Sequence, residues 1–233
     1  MKSFYLLFIL CCALSLSAKK NKHSLWNQML QQFVHEQGQV DYKSWLTEKK
    51  QLDAYIQTLE KMPPLEMASK EAKLAYWINA YNALTVQLIL ENYPLKSIRD
   101  LDDPWDTDCF KIKGQSYTLG DIEHKILRKM DEARIHFAIN CASASCPKLR
   151  NEAYQEKKLE SQLTEASRDF LMDSTKNKLS KDQVQLSRIF LWFGNDFGSK
   201  AERLEFISRY SGMDFNQPKI DYLTYDWSLN QAH

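Results

Sequence analysis

The chain has 233 residues, with 31 basic and 30 acidic side chains and a formal net charge of +1 at pH 7. This even balance lacks the concentrated positive charge of a nucleic-acid-binding protein, so nucleic acid is not an expected partner. With 44% hydrophobic and 12% aromatic residues, the composition also excludes an intrinsically disordered chain. The length is sufficient for one globular domain with a full hydrophobic core.

The N-terminus has the pattern of a secretion signal peptide, which we predict over residues 1–18. Lys2 supplies the positive start, Phe4–Leu14 is an apolar run too short to span a bilayer, and small residues follow up to Ala18. We expect cleavage near residues 17 and 18, and export to the periplasm or the extracellular space. Residues 19–233 would then form a single globular domain.

Membrane anchoring of the mature chain is not expected. Cys11 and Cys12 lie in the apolar run, but lipidation favours a small residue just before the cysteine, and Leu10 precedes Cys11. No later apolar run approaches the length of a transmembrane span. The sequence does not indicate an oligomeric state.

The spacing of apolar residues predicts a helix-rich α+β domain with a small, mainly antiparallel sheet. The predicted helices cover residues 25–34, 45–62, about 70–93, 118–130, 156–173 and 200–210. A β-hairpin is predicted across Phe110–Tyr117 with its turn at Gly114, and a strand at Val184–Leu186 leads into an aromatic segment.

The helix predicted at about 70–93 is expected to be central to the fold. Residues 74–90 contain no charged side chain, and a helix that is apolar all round is buried on every side. Ser69 is a suitable N-cap, and Pro94 ends the helix. Asn79 and Asn82 are three residues apart and share one face, so they would be buried amides that tie loops to the core or, alternatively, contact a substrate.

The segment Arg134–Pro147 holds the densest reactive chemistry in the sequence. Alternating apolar residues predict a strand over 134–140, with His136 and Asn140 on the face opposite Phe137. Small residues then carry Cys141 and Cys146 into a tight loop before Pro147. A histidine, an amide and two thiols therefore lie within eleven residues.

Four segments resemble, in order and spacing, the family called domain of unknown function 547 (DUF547): residues 76–83, 119–124, 134–147 and 225–230. The resemblance runs from about Val40 to Asn230. It implies no established activity. Relatives include exported bacterial proteins and proteins with glutaredoxin-like domains, so the resemblance implies export and associates the family with thiol chemistry.

The residues themselves suggest a thiol-dependent hydrolase or acyltransferase with Cys141 as nucleophile. A thiolate needs a nearby base or positive charge, which His136 or His124 would supply, with Glu123 beside His124 in the sequence. The small-residue loop could offer backbone N–H groups to an oxyanion. The residues expected to support the site or to bind substrate are Asn79, Asn82, Asn140, Ser143 and Ser145. The ligand would be a small molecule, a peptide or a glycan.

Two alternatives remain open from the sequence. In the first, Cys141 and Cys146 form a structural disulfide in a non-enzymatic secreted or envelope binding protein, which would leave Cys109 free. In the second, the two thiols form a redox pair or, with His124 and His136, a zinc site. Their spacing matches no common redox or zinc pattern, so no metal and no cofactor is predicted.

Overall fold

The structure is a computed structural model, and it describes residues 22–232. The predicted signal peptide lies outside the described residues. The α-helices are α1 (Ser24–Phe33), α2 (Tyr42–Trp45), α3 (Lys49–Lys61), α4 (Lys70–Glu91), α5 (Leu159–Met172), α6 (Ile189–Trp192) and α7 (Lys200–Ser211). The strands are β1 (Asp108–Ile112), β2 (Gln115–Thr118), β3 (Lys178–Leu179), β4 (Gln183–Leu186) and β5 (Lys219–Tyr222).

Tighter and wider helical turns connect these elements. Six 3₁₀ turns in the described residues cover Leu46–Glu48, Ile98–Asp100, Leu127–Met130, Ala133–Phe137, Glu156–Lys158 and Gly194–Phe197. A π-helical turn covers Asp121–Ile126. The predicted capping box starts this turn, because the side chains and backbone N–H groups of Thr118 and Asp121 exchange hydrogen bonds of 3.0 and 3.2 Å.

The predicted α+β class is confirmed, with the strands divided between two small sheets. Strands β1 and β2 form the expected antiparallel hairpin, and Gly114 adopts a positive φ of 88° in its turn. In the second sheet β3 pairs antiparallel with β4, and β4 pairs in parallel with β5, with Val184 opposite Ile220. Antiparallel pairing therefore predominates, as expected.

Helix α4 is the buried central helix that the uncharged run predicts. Most of its side chains from Leu74 to Leu90 are buried, and Ser69 caps it by accepting a hydrogen bond of 3.1 Å from the Ala72 N–H. Helix α3 packs against it. The helix predicted over 45–62 is present as α3 and ends before Pro63 as expected, but it begins at Lys49. The Asp41 side chain caps a separate short helix, α2, by accepting from the Ser44 N–H, and a 3₁₀ turn separates α2 from α3.

The strand predicted over 134–140 was also wrong, because residues 133–137 form a 3₁₀ turn. The carbonyl of Ile135 accepts hydrogen bonds from the N–H groups of Ala138 and Ile139, at 2.9 and 3.0 Å, where a strand would pair with a neighbour. Every side chain from 134 to 140 is buried. The alternation of apolar residues therefore does not mark a solvent face, and a short run buried on all sides has no unique period.

Two hydrophobic cores lie on either side of this turn. The larger core surrounds α4 and includes Ile135 and Ile139, whereas the smaller core includes Phe137, Phe170 of α5 and Ile189 of α6. The turn thus joins the two cores, and the cavity described next has walls from both. Within residues 22–232, the apolar stretches of the helices are all too short or too polar to cross a bilayer.

Candidate active site

A cavity of about 250 Å³ contains all four side chains that the sequence nominates for catalysis. Glu123 and His124 reach it from the π-helical turn, His136 from the 3₁₀ turn, and Cys141 from the following loop. The other lining residues are Tyr81, Trp105, Ile139, Cys146, Pro147, Ile189, Trp192, Phe193, Tyr225 and Trp227. The described fold therefore brings these four residues together from three separate segments.

The two cysteine sulfurs of the loop lie next to each other as thiols. Cys141 Sγ is 2.8 Å from Cys146 Sγ, whereas a disulfide bond measures about 2.05 Å. The Cys141 backbone N–H also donates to Cys146 Sγ at 2.9 Å. Cys146 is buried, while Cys141 is partly accessible from the cavity. An incoming molecule therefore meets Cys141 first.

Hydrogen bonding favours the thiolate form of Cys141. Cys146 Sγ can donate to Cys141 Sγ, the Tyr225 hydroxyl oxygen lies 3.4 Å from the same sulfur, and the Ser143 backbone N–H also bonds to it, while the Ser143 hydroxyl donates to the Tyr225 oxygen. Donation from these groups holds the pKa of the Cys141 thiol below its usual range, although burial acts in the opposite direction. Burial and the neighbouring sulfur raise the pKa of the Cys146 thiol far above its usual range. Of the two thiols, Cys141 is thus the one that faces the cavity and has the lower pKa.

His136 is held by a carboxylate that the sequence does not single out. Its Nε2 lies 2.7 Å from Asp196 Oδ2, and Arg128 donates to both Asp196 oxygens at 2.6 and 2.8 Å. Arg128 and His136 keep the pKa of the Asp196 carboxyl low, so Asp196 is the acceptor and His136 Nε2 carries the proton. Burial lowers the pKa of His136 to about 4, which leaves the ring neutral near pH 7. Phe193 stacks on this ring at 4.3 Å between centroids.

These contacts define the proton-accepting atom of His136. A neutral imidazole with its proton on Nε2 has an unprotonated Nδ1, which is the atom that can act as a base. Asp196 can in turn stabilise the imidazolium that forms when Nδ1 accepts a proton. His136 could thus act as a base, and the hydrogen bond to Asp196 would orient its ring.

His124 lies at the exposed end of the cavity. Arg128 Nη1 is 3.3 Å from His124 Nδ1, and because a guanidinium can only donate, Nδ1 is the acceptor and Nε2 carries the proton. Burial, with a smaller effect from Arg128, lowers the pKa of His124. His124 is therefore a neutral side chain that presents a donor N–H.

Glu123 is buried although its neighbour in the sequence is exposed. The Tyr81 hydroxyl donates to Glu123 Oε2 at 3.2 Å, and burial raises the pKa of Glu123 to about 7. A nearby Cys141 charge raises this pKa further. A carboxyl with a pKa near 7 can both give and take a proton at neutral pH. π-helical turns are frequent at functional sites, and here the turn carries Glu123 and His124.

The expectation that the loop backbone could bind an oxyanion stays a prediction, because the Ser143 N–H remains directed at the Cys141 thiol. Five N–H groups of the loop already donate within the fold, those of Cys141, Ala142, Ala144, Ser145 and Cys146. The loop is small-residue-rich because it packs tightly, with Ala142 at a positive φ of 60°. The donors that remain beside Cys141 Sγ are the Ser143 backbone N–H and the Tyr225 hydroxyl, since the Ser143 hydroxyl donates to the Tyr225 oxygen at 3.0 Å.

The predicted supporting residues hold the backbone around the site. The Asn79 amide forms two hydrogen bonds with the Tyr154 backbone, and the Asn82 amide bonds to the Ala138 carbonyl and the Asn140 N–H. The side chain of Asn140 donates to the Pro147 carbonyl and accepts from the Ala142 N–H. Ser145 Oγ accepts from the Asp226 N–H. Of these five residues, Ser143 is the one recorded in contact with the thiol.

Asp196 and Tyr225 complete the site, and sequence reasoning did not assign either to it. Asp196 is 60 positions from His136, and Tyr225 is 84 positions from Cys141, so no local pattern links them. Tyr225 does begin the last segment that resembles the DUF547 family, which was a usable signal. Asp196 follows an aromatic run and gave no signal beyond its charge.

The zinc arrangement considered from the sequence is not formed. Across residues 22–232, no three or more His, Cys, Asp or Glu side chains are grouped so that they could hold a metal ion. His136 Nε2 instead faces the Asp196 carboxylate, which accepts its proton.

Comparison with known proteins yields one match. No curated protein and no solved structure shows significant similarity to this chain. The model of a family described as "Protein of unknown function, DUF547" matches residues 65–171, which include Glu123, His124, His136 and Cys141 but not Asp196 or Tyr225. The chain thus carries a DUF547 match over residues 65–171, which confirms the resemblance inferred from its sequence.

Proposed function

We propose that this protein is an exported thiol-dependent hydrolase or acyltransferase in which Cys141 is the nucleophile. The observation that carries the proposal is the convergence of Cys141, His136, His124 and Glu123 on one cavity. Hydroxyl and thiol donors around Cys141 Sγ support it further, because they favour the reactive thiolate. The proposed export rests on the signal-peptide pattern of residues 1–18.

The reaction begins with attack of the Cys141 thiolate on the carbonyl carbon of an ester, thioester or amide. A bond forms between sulfur and carbon, and the carbonyl electron pair moves onto oxygen, where the Tyr225 hydroxyl and the Ser143 backbone N–H can donate hydrogen bonds. Collapse of this intermediate expels the alcohol, thiol or amine, which takes a proton from protonated Glu123. The acyl group remains on Cys141.

The second half of the reaction releases the acyl group. A water molecule, or an acceptor alcohol, thiol or amine, attacks the acyl carbon and gives its proton to Nδ1 of His136. The Asp196 carboxylate stabilises the resulting imidazolium. Cys141 leaves as a thiolate, and proton transfer from His136 to Glu123, directly or through water, restores the starting state. Water as the acceptor makes the protein a hydrolase, and another acceptor makes it an acyltransferase.

The proposal is tested by labelling with iodoacetamide from pH 4 to pH 9, read residue by residue by peptide mass spectrometry. We expect Cys141 to alkylate with a midpoint well below the free-thiol value of about 8.5. Cys109 is an internal control, because burial raises its pKa to about 12 and it lines a different cavity. A reduced Cys141 that stays unlabelled at pH 9 would contradict the proposal.

Substitution completes this test. Cys141→Ser should abolish turnover of a p-nitrophenyl ester without lowering the thermal unfolding temperature. Cys109→Ser is the matched control and should keep full activity. Retained activity in Cys141→Ser would assign the nucleophile elsewhere.

A second candidate function is supported by the short distance between the sulfurs, 2.8 Å. In this alternative, an oxidising compartment closes the Cys141–Cys146 bond in a non-enzymatic binding protein. Peptide mapping without reductant would then find residues 141 and 146 in one bridged peptide that resists mild reduction. Cys141→Ser would in that case lower the free energy of unfolding, by about 2–4 kcal/mol for a typical disulfide.

A further inference from the structure

We propose that the site takes an uncharged, apolar acyl group, either a single aromatic ring or a short aliphatic chain, and seats it against an aromatic wall. The aromatic wall consists of Trp192, Tyr225 and Trp227. This inference rests on the proposed function and specifies its substrate class.

The aromatic wall begins at the nucleophile. The ring of Tyr225 lies 4.8 Å from the ring of Trp192 and 4.6 Å from that of Trp227, between centroids. The hydroxyl of the same tyrosine is 3.4 Å from Cys141 Sγ. An acyl group bonded to this sulfur therefore starts at the edge of the wall, and its apolar part can pack against the rings.

The charges around the cavity favour a neutral acyl group. The residues that line it include no lysine and no arginine. Arg99 and Arg128 lie near the cavity, but each is placed over an aromatic ring, at 5.3 Å from Trp227 and Phe193 respectively. The acidic side chain among the lining residues, Glu123, would repel a carboxylate whenever it is ionised. An anionic acyl group would thus lose its hydration without gaining a cationic partner.

The volume of the cavity sets the size of the group. At about 250 Å³ it exceeds the roughly 150 Å³ of an apolar cavity that holds benzene. A phenylacetyl group or a chain of up to about eight carbons is of this size, whereas a long lipid chain is not.

The test is the dependence of kcat/KM on acyl structure, measured with p-nitrophenyl esters from acetyl to dodecanoyl, with the phenylacetyl ester and with the anionic hemisuccinate. We expect kcat/KM to rise about fourfold per methylene, which is the burial of one CH₂ converted to a rate, and to level off near eight carbons. The hemisuccinate should react at least tenfold more slowly than the butanoyl ester of equal length.

A matched pair of variants ties this dependence to the aromatic wall. Trp192→Ala should reduce the increase of kcat/KM with acyl chain length. Leu191→Ala removes a neighbouring side chain of similar exposure, 48% against 42%, that does not line the cavity, and it should leave the increase unchanged. No dependence on chain length, or a preference for the hemisuccinate, overturns the inference while Cys141 remains the nucleophile.

A binding measurement separates failure of this inference from failure of the proposed function. Octanamide, phenylacetamide and succinamate are titrated calorimetrically into the full-length Cys141→Ser protein. Binding of the two neutral amides with a negative heat-capacity change, and not of succinamate, supports the apolar site even if no ester is hydrolysed. In that outcome only the proposed catalysis is wrong. Absence of both binding and turnover overturns both.

Discussion

Glu123 and His136 are two buried ionisable side chains of one cavity that are both uncharged in slightly acidic solution. Burial raises the pKa of Glu123 to about 7 and lowers that of His136 to about 4. Between these values a protonated carboxyl and an unprotonated imidazole coexist, so an acid and a base are available together. Because burial shifts both pKa values, the ionisation of each residue also makes the free energy of unfolding depend on pH.

The raised pKa of Glu123 should lower the free energy of unfolding as the pH rises from about 4.5 to about 7. In that interval the folded chain binds one more proton than the unfolded chain, in which the carboxyl has its usual pKa, so the free energy of unfolding falls. The loss amounts to about 3 kcal/mol for a pKa shift of this size. Glu123→Gln removes the charge and keeps an acceptor for the Tyr81 hydroxyl.

Urea unfolding at pH 4.5, 6 and 7.5 measures this effect. Glu123→Gln should gain stability relative to the wild type by about 3 kcal/mol between the first and the last pH. Glu36→Gln changes an exposed carboxylate and should show no such gain. Parallel stability profiles for the wild type and Glu123→Gln would show that Glu123 ionises normally in the folded chain.

Asp196 acts on the proposed reaction through His136, so its substitution should lower kcat and leave KM almost unchanged. Asp196→Asn places an amide opposite His136 Nε2, and an amide that donates there would leave Nδ1 protonated and unable to accept a proton. We expect kcat for ester hydrolysis to fall by about 10²–10⁴-fold, the range for loss of a general base, with KM little changed.

The pH profile distinguishes this positioning role from a purely structural one. The limb of kcat/KM that reports the base should disappear in Asp196→Asn. Asp169→Asn alters an exposed carboxylate paired with Lys148 and should keep the full profile. An unchanged profile in Asp196→Asn, at any level of activity, would remove His136 from the mechanism.

At the level of elements, helix α4 positions the site through its two buried amides. Asn82 bonds on one side to the Ala138 carbonyl, at the end of the 3₁₀ turn, and on the other to the Asn140 N–H, at the start of the cysteine loop. Asn79 bonds to both backbone groups of Tyr154. Two side chains of α4 thus fix three neighbouring segments of the chain.

Asn79→Leu should be strongly destabilising. It leaves the Tyr154 N–H and carbonyl buried without partners, and each buried unsatisfied group costs about 1–3 kcal/mol. The measurement is the free energy of unfolding in urea at constant pH. Asn92→Leu, an identical exchange at the exposed end of the same helix, should cost less than about 1 kcal/mol. Equal losses in the two variants would mean that the Asn79 bonds contribute little.

The elements that the sequence predicts well are those whose signal is local. Residues 74–90 lack charge, which alone indicates a buried helix. Ser69 has the hydroxyl that an N-cap requires, and Gly114 lacks the Cβ that would oppose the positive φ of its turn. The segment 134–140 is different, because its alternation is accidental and its burial on all sides comes from the two cores around it. Asp196 and Tyr225 reach the site only through tertiary packing, which a single sequence does not encode in any short pattern.

At the scale of the whole molecule, the site is assembled from residues that lie far apart in the sequence. Its lining runs from Tyr81 to Trp227, whereas the family match ends at residue 171. The cavity also takes Ile139 from the larger core and Ile189 from the smaller core. A large-to-small substitution in either core should therefore shift the position of Cys141.

The proposed export makes one prediction about the mature chain. Protein recovered from the periplasmic or extracellular fraction should have an intact mass that begins near residue 19, after removal of the signal peptide. A variant with Lys2→Glu, in which the positive start is lost, should be exported poorly. Full-length protein that remains in the cytoplasm would contradict the proposed localisation.

Asn140 closes the cysteine loop from end to end, because its side chain donates to the Pro147 carbonyl at 2.7 Å and accepts from the Ala142 N–H at 2.8 Å. The loop consequently has its shape before any bond forms between the sulfurs. Oxidation and reduction can then change the reactivity of Cys141 without refolding the segment that carries it. We therefore expect the loop to keep the same backbone conformation whether its two sulfurs are reduced or bonded to each other.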